Sequence, residues 1–417
     1  ILFLWKNWGK KLSKLVITRM ELKNVPVYAA AVEDNGKILE LRMEPVKKDS
    51  ILGNIYVGQV KELAENIQAA FVQIGDGQIC YYPLSEQKDA LFSNGFHRGE
   101  SQKLRPGDQF LVQVSREAIK QKLPSVTSNL NFTGKYLVLT TANKKLGLSG
   151  KLSKEERAKW RHWLEAETGR EYGIIVRTNA KEARKEEVFR ELEYLKKRYH
   201  KAAVLGRSRT CFSLLEKAEP FYLSMIRDFY QESLTEIVTD QPGLLEEIRT
   251  YLMEYEPENT EKLRFYEDKL LPLYKLYSLQ SAFEEALKER IWLKSGGFLV
   301  IQQTEAFVSI DVNSGKYTGK KKVQETYRKI NLEAAAEIAR QLRLRNLSGI
   351  ILIDFINLEK EDHRQELFHV LQKHLKKDPV KASAVDMTAL QITEVTRKKI
   401  RRSLAEDFKA LEEENCD

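Results

Sequence analysis

Two apolar runs, each closing on an aspartate and separated by one long amphipathic helix, constrain this chain more than any other feature. The first is Val308-Ser309-Ile310-Asp311-Val312-Asn313-Ser314-Gly315 and the second is Ile350-Ile351-Leu352-Ile353-Asp354-Phe355-Ile356. Between them, Glu325 to Asn346 reads as one helix with Leu332, Ala335, Ala336, Ile338, Ala339 and Leu342 on its apolar face. Gly297-Phe298-Leu299-Val300-Ile301 adds a strand ahead of the pair. Strand, helix and strand in succession imply a right-handed crossover and predict an α/β region with a largely parallel sheet. Arg340 and Arg343 fall on the polar face of the helix, either offered to phosphate or simply solvated.

Residues at the carboxyl ends of strands line the functional crevice of an α/β sheet. If the two strands are neighbours, Asp311 and Asp354 project together, and two carboxylates at close range repel unless a proton or cation lies between them. Asn313, two residues past Asp311, shares its face in extended backbone and adds a neutral oxygen. An all-oxygen set suits Mg²⁺ or Mn²⁺. A hard cation there would acidify a bound water and offset charge on a phosphodiester. The alternative is that each aspartate caps the turn after its strand, with Gly315 marking that turn. Spacing alone leaves both readings open.

At 417 residues the chain exceeds one ordinary core, so two to four domains or subdomains are expected. The formal net charge of +9, from 69 basic and 60 acidic residues, favours a polyanionic partner over a membrane surface. No apolar run approaches the ~20 residues needed to span a bilayer. Cys80, Cys211 and Cys416 are far apart and form neither a CxxC pair nor a disulfide framework, which points to a reducing, cytoplasmic compartment. The segment Met20-Glu21-Leu22 reads as a natural start, so residues 1–19 are expected to be an N-terminal extension. Residues 26–44 read as a hairpin around Asp34-Asn35-Gly36. Residues 51–130 carry five or so short strands with Gly-bearing turns, which suggests a small closed barrel. Residues 132–215 mix strands with charged helices, and 220–292 read as largely helical.

The run from Gly296-Gly297 through Gln303-Thr304-Glu305-Ala306 to Asp311-Val312-Asn313-Ser314-Gly315 resembles the signature of the ribonuclease E/G family. So do Asn331-Leu332-Glu333-Ala334-Ala335, Arg340-Gln341-Leu342-Arg343-Leu344-Arg345, Gly349 through Ile356, and Met387-Thr388 with Glu394-Val395-Thr396-Arg397. The resemblance implies an α/β, or α+β multidomain, architecture. Residues 20–50 with 216–295 would form an RNase H-like subdomain. Into it are inserted an OB-fold barrel at 51–130 and a 5′-sensor subdomain at 131–215, and a DNase I-like catalytic subdomain follows at 296–417. It further implies a hydrolytic endoribonuclease that cuts single-stranded RNA internally in RNA processing and decay, leaving 5′-phosphate and 3′-hydroxyl ends. Asp311 and Asp354 would hold Mg²⁺ (Mn²⁺ also suits), and Asn313 would assist. Phe71 and Tyr81 would stack on bases with Lys122 as a basic contact, although Phe71 could instead sit in the barrel core. Gly134, Val138, Arg177 and Thr178 would form the pocket that senses a 5′-phosphate.

The sequence departs from the family pattern at three places. The CPxC zinc-link is missing, with only Cys416 in that region, so a homodimer is possible but neither zinc nor a zinc-linked dimer is expected. Gln73 stands where an Asp is usual, and Gly150-Lys151 replaces an arginine pair. The competing class is an RNA-binding protein of the same fold that is catalytically silent.

Overall fold

The computed structural model describes residues 13–47, 50–93, 103–118, 122–169, 171–229, 234–315 and 323–414. These fall into two compact units, one holding the described residues up to 47 and from 234 onward, the other those from 50 to 229.

The first unit begins with β1 (Ser13–Leu22), β2 (Val25–Asp34) and β3 (Lys37–Pro45), an antiparallel meander. The expected hairpin is present. Asn35 and Gly36 both take left-handed backbone (φ 53° and 79°), as a two-residue turn between twisted strands demands, and asparagine and glycine tolerate it best. The expected N-terminal extension is corrected in part: residues 13–19 are most of β1. Val16, Ile17 and Leu15 are fully buried in it, because its alternate apolar side chains face two packed layers. Residues 1–12 lie outside the described residues.

The second unit carries β4 (Ile55–Ala64), β5 (Ala69–Gln73), β6 (Ile79–Pro83), β7 (Gln109–Arg116) and β8 (Ser125–Thr127). Their order β4-β5-β6-β8-β7, closed by β4 pairing with β7, is a five-stranded barrel of OB-like character. Next come β9 (Asn131–Thr133), β10 (Leu137–Thr140), β11 (Leu146–Leu148), helix α1 (Lys154–Leu164), β12 (Gly173–Val176) and helix α2 (Lys185–Ser208). The four strands pair in the order β11-β12-β10-β9. α1 and α2 bury Trp160, Leu164, Val188, Leu192 and Leu195 in the core of this sheet. Strand β13 (Leu214–Glu216) pairs with β4 and helix α3 (Phe221–Asp228) follows, so this stretch belongs with the barrel unit.

The chain returns to the first unit with β14 (Leu234–Thr239), α4 (Pro242–Tyr255), β15 (Leu263–Phe265), α5 (Leu273–Leu276) and α6 (Leu279–Leu287). The largely helical expectation for 220–292 therefore misses three strands, these two and the short Arg290–Trp292 strand at its end. β14 runs parallel to β1, and β15 runs parallel to β14, giving the sheet order β15-β14-β1-β2-β3. Helices thus frame two short parallel strands that no hairpin signal announces.

A second sheet of this unit contains β16 (Arg290–Trp292), β17 (Phe298–Gln303), β18 (Phe307–Asn313), β19 (Gly349–Asp354), β20 (Ala382–Met387) and β21 (Ile392–Arg397). Helices α7 (Val323–Leu344), α8 (Glu361–Leu375) and α9 (Leu404–Glu414) complete the chain. The strand order is β16-β17-β18-β19-β21-β20. Only β18 and β19 are parallel neighbours, so the largely parallel expectation is corrected to a mixed sheet. The reason lies in the connections: β17–β18 and β20–β21 are joined by hairpins too short for a crossover, which forces antiparallel pairing. β16, placed by sequence in the preceding subdomain, is an edge strand of this sheet.

One face of this sheet is covered. Leu299, Ile310, Val312, Ile351 and Ile353 pack on Ile330, Ala334, Ile338 and Leu342 of α7 and on Leu367 and Leu371 of α8. Each such Leu or Ile contributes about 1.5–3 kcal/mol relative to exposure. Alternation then sends the intervening residues of every strand to the other face, and Asp311, Asn313 and Asp354 are among them.

Candidate metal centre and nucleic-acid interface

Asp311 and Asp354 are register partners at the ends of the parallel pair β18 and β19. Both are exposed, whereas their neighbours Ile310 and Ile353 are buried against the helices. Asn313 donates from Nδ2 to Asp311 Oδ2 at 2.7 Å, which fixes one carboxylate and leaves the amide oxygen for another partner. Burial, and then the charge of Asp311, raise the pKa of Asp354 above the ordinary aspartate value. Among the described residues neither aspartate accepts a hydrogen bond from the backbone of the turn after its strand.

The residues around the pair show how the chain holds it. Asn331 of α7 is fully buried, donating to Ile356 O at 2.7 Å and accepting from Ile356 N at 3.1 Å. It thereby clamps the backbone two residues after Asp354. Glu333, on the next part of the helix, accepts from Lys294 N and Ser295 N at 2.7 and 3.1 Å and pins the turn before β17. Gly297 lies so close to Asn313 that a Cβ there would come within 2.7 Å of the Asn313 carbonyl oxygen. Gly315 has left-handed backbone (φ 66°), and a Cβ on it would run into the Gly296 carbonyl. Asn331 and Glu333 were visible in the sequence only as motif letters; their work as clamps was not.

Arg340 and Arg343 are held in ion pairs rather than left as freely solvated charges. Arg340 pairs with Glu337 and Glu285 at 2.6 and 2.9 Å. Arg343 pairs with Glu40 of β3 at 3.2 Å. Burial works against the charge of Glu40, but Arg42, Arg343 and Arg401 around it hold its carboxyl far below the usual range. Arg340 also donates from Nη1 to Ile38 O of β3 at 2.8 Å, so both arginines join α7 to the neighbouring sheet.

A hard cation fits the donors present. Two facing carboxylates favour a counter-charge between them, and among the described residues no His or Cys side chain joins them as a ligand. Among the described residues no group of three or more His, Cys, Asp or Glu side chains converges. The pair would thus rely on water or substrate oxygens to complete a shell, as Mg²⁺ commonly does. Cys416 lies outside the described residues.

In the barrel, Phe71 and Tyr81 are register partners on β5 and β6. Each is half-buried, while Ala70, Val72, Cys80 and Tyr82 on the alternate positions fill the interior. Phe71 is therefore on the outer face, not in the core. Lys122 is exposed, three residues before Ser125, the partner of Tyr81 on β8.

Gly134, Val138, Arg177 and Thr178 come together where β10 meets β12, with Val138 opposite Ile175. Arg177 donates from Nη1 to Gly134 O at 2.5 Å and pairs through Nη2 with Asp228 at 2.8 Å. Burial opposes ionisation of Asp228, yet Arg227 and Arg177 keep its pKa below the ordinary value. Thr178 shares a hydrogen bond with Ser149 at 2.9 Å. Glu191 of α2, which sequence reasoning passed over, accepts from the backbone N–H groups of Lys135, Tyr136 and Leu137 at 2.7–2.8 Å. A Cβ at position 134 would collide with its carboxylate, which accounts for the glycine.

Among the described residues no helix is long and apolar enough to cross a membrane. The family model of the ribonuclease E/G family matches residues 131–400. Ribonuclease G of Escherichia coli strain K12 is 33% identical over 384 residues, covering 89% of this chain and 77% of that protein. Ribonuclease G of Haemophilus influenzae is 32% identical over 382 residues, covering 90% of this chain and 78% of that protein. Ribonuclease E of a Synechocystis species is 32% identical over 362 residues, 86% of this chain and 53% of its own length. With the family model covering more than half of it and relatives at this identity along most of its length, the chain belongs to the ribonuclease E/G family.

Proposed function

We propose that this chain is a metal-dependent hydrolytic endoribonuclease that cuts single-stranded RNA internally, in cytoplasmic RNA processing and decay. The observation that carries the reading is the register pair Asp311–Asp354, with Asn313 bonded to Asp311, on the exposed face of a sheet whose other face is packed. Clustered carboxylates facing a polyanion are unfavourable for a pure binder, which speaks against a silent RNA-binding protein.

Asp311 and Asp354 would hold Mg²⁺, with Mn²⁺ as a substitute. When bound, the cation supplies Lewis-acid stabilisation of the phosphodiester and a more acidic water. Asn313 orients Asp311, Asn331 holds the chain just after Asp354, and Glu333 holds the turn before β17, whose Phe298 pairs with Asn313. Attack of water on phosphorus with departure of the 3′ oxygen would leave 5′-phosphate and 3′-hydroxyl ends. Phe71 and Tyr81 would offer ring faces to bases, a sequence-tolerant contact, with Lys122 beside the backbone. Gly134, Val138, Arg177 and Thr178 would receive a 5′-terminal phosphate, which must compete with Asp228 for the Arg177 guanidinium.

The test is cleavage of a 5′-monophosphorylated single-stranded oligonucleotide in Mg²⁺, with mapping of the new ends. Internal cuts that vanish with EDTA and with Asp311→Ala or Asp354→Ala are expected. Undiminished cutting by either variant would refute the assignment.

A further inference from the structure

The open face of the catalytic sheet carries more than the acidic pair. Arg290 pairs in register with Val300, Val300 with Asp311, and Asp311 with Asp354, so all four lie in one row across β16, β17, β18 and β19. The next row is Trp292, Phe298 and Asn313. Directly opposed residues share a face, and Ile291, Leu299 and Val312 between these positions are buried on the other side. Arg290, Trp292 and Phe298 therefore stand on the same face as the carboxylates. Two strand spacings, roughly 10 Å, separate Arg290 from Asp311.

These three side chains form a cluster. The Arg290 guanidinium lies 4.6 Å from the centre of the Phe298 ring, and the Trp292 and Phe298 ring centres are 5.2 Å apart at 57°. Trp292 is 65% exposed, although burying an indole is one of the larger gains available to a folding chain. Arg290 has no carboxylate partner among the described residues. An exposed tryptophan, a second ring and an unneutralised guanidinium in one patch match the chemistry of a single-stranded nucleic acid: ring faces for bases, positive charge for phosphate.

We propose that Arg290, Trp292 and Phe298 form a stacking platform for the RNA strand being cut, taking nucleotides next to the scissile phosphate on the β16 side of Asp311. This rests on the reading of Asp311 and Asp354 as the hydrolytic centre and adds the direction in which the strand leaves it. Base stacking at the platform holds the strand across β17, and Arg290 offsets a phosphate at the far end of the row. The specificity that follows is for unpaired nucleotides at defined positions beside the cut, because paired bases have no free face to offer.

Binding is measured without turnover, using Asp354→Asn in EDTA and oligonucleotides that carry a single abasic nucleotide at successive positions around the cleavage site. The parent background should lose about tenfold or more in affinity when the abasic position falls on the platform. Trp292→Ala with Phe298→Ala should weaken binding of the intact oligonucleotide by a similar factor and become insensitive to that abasic position. Arg290→Gln should reduce the salt dependence of binding. Trp292→Phe, which keeps a ring, should restore most of the affinity. Thermal stability of each variant, expected to match the parent, excludes misfolding. Equal sensitivity to the abasic position in parent and double variant would overturn the proposal. So would unchanged RNA binding accompanied by loss of a concentration-dependent dimer in sedimentation, which would give the face to a second copy of the chain. Because these readouts need no cleavage, they stand or fall separately from the hydrolytic assignment.

Discussion

Removing one charge from the aspartate pair should stop cleavage and yet stabilise the metal-free fold. Asp311 and Asp354 oppose each other on adjacent strands. Two unit charges roughly 5 Å apart repel by about 0.8 kcal/mol in water. Salt and exposure reduce this, and the partial burial of Asp354 adds to it, leaving on the order of 0.5–1 kcal/mol. The sign follows from the raised pKa of Asp354. Its folded-state contribution is fully present below the unfolded pKa and is lost as pH rises through the folded one, so at neutral pH the pair is a net cost. Asp354→Asn should therefore raise the melting temperature in EDTA by about 1–3 °C at neutral pH. The gain should shrink toward zero as the solution is acidified through the carboxylate range. Magnesium should reverse the order. At tenfold excess over Kd a cation bound only by the folded state stabilises it by about 1.4 kcal/mol, and the variant should gain little of that. Thermal unfolding followed by circular dichroism, in EDTA and across a magnesium titration, measures all of these. A variant no more stable than the parent in EDTA, or an equal magnesium shift in both, would refute the reasoning.

Replacing Phe71 or Tyr81 by Ala should weaken single-stranded RNA binding by about 1–3 kcal/mol each while leaving the melting temperature unchanged, since both lie on the outer face of the barrel; fluorescence anisotropy and thermal unfolding check the two halves. Glu191→Ala should destabilise the barrel unit by on the order of 3 kcal/mol, because three backbone donors lose their acceptor, and urea unfolding should register it. A chain begun at Met20 should lack cooperative unfolding, because the deletion removes most of β1, which pairs with both β14 and β2; a sharp transition at the parent's temperature would contradict the central place of that strand.

Two strands ending in aspartate were legible in the sequence as a local pattern, as was the Asn35-Gly36 turn, but spacing alone left a capping role open for both aspartates and only the family resemblance favoured reading them as a pair. The barrel's strands were legible too, since each is bounded by turn residues. Closure into a barrel was expected from the number of short strands, but not which strands close it: β4 and β7 are about fifty residues apart and no local signal records their pairing. The crossing ion pairs of Arg340 and Arg343 were hidden likewise: their partners Glu285 and Glu40 are remote in sequence, so both arginines looked like solvated charges. β1 was misread because Met20-Glu21-Leu22 reads as a natural start, although Leu15-Val16-Ile17 was already an apolar run. The platform of Arg290, Trp292 and Phe298 could not be seen at all until register brought two strands together.

That register has a wider consequence. β18 and β19 match residue for residue from Phe307 and Ile350 to Asp311 and Asp354. Sliding β19 by a single residue would turn Asp354 inward toward α7 and Ile353 outward to solvent. The pattern that packs the core is thus the same pattern that assembles the proposed centre, and a copy with mispaired strands could not set both carboxylates side by side. On the proposed reading, faulty copies of this chain would fall silent rather than cut RNA indiscriminately.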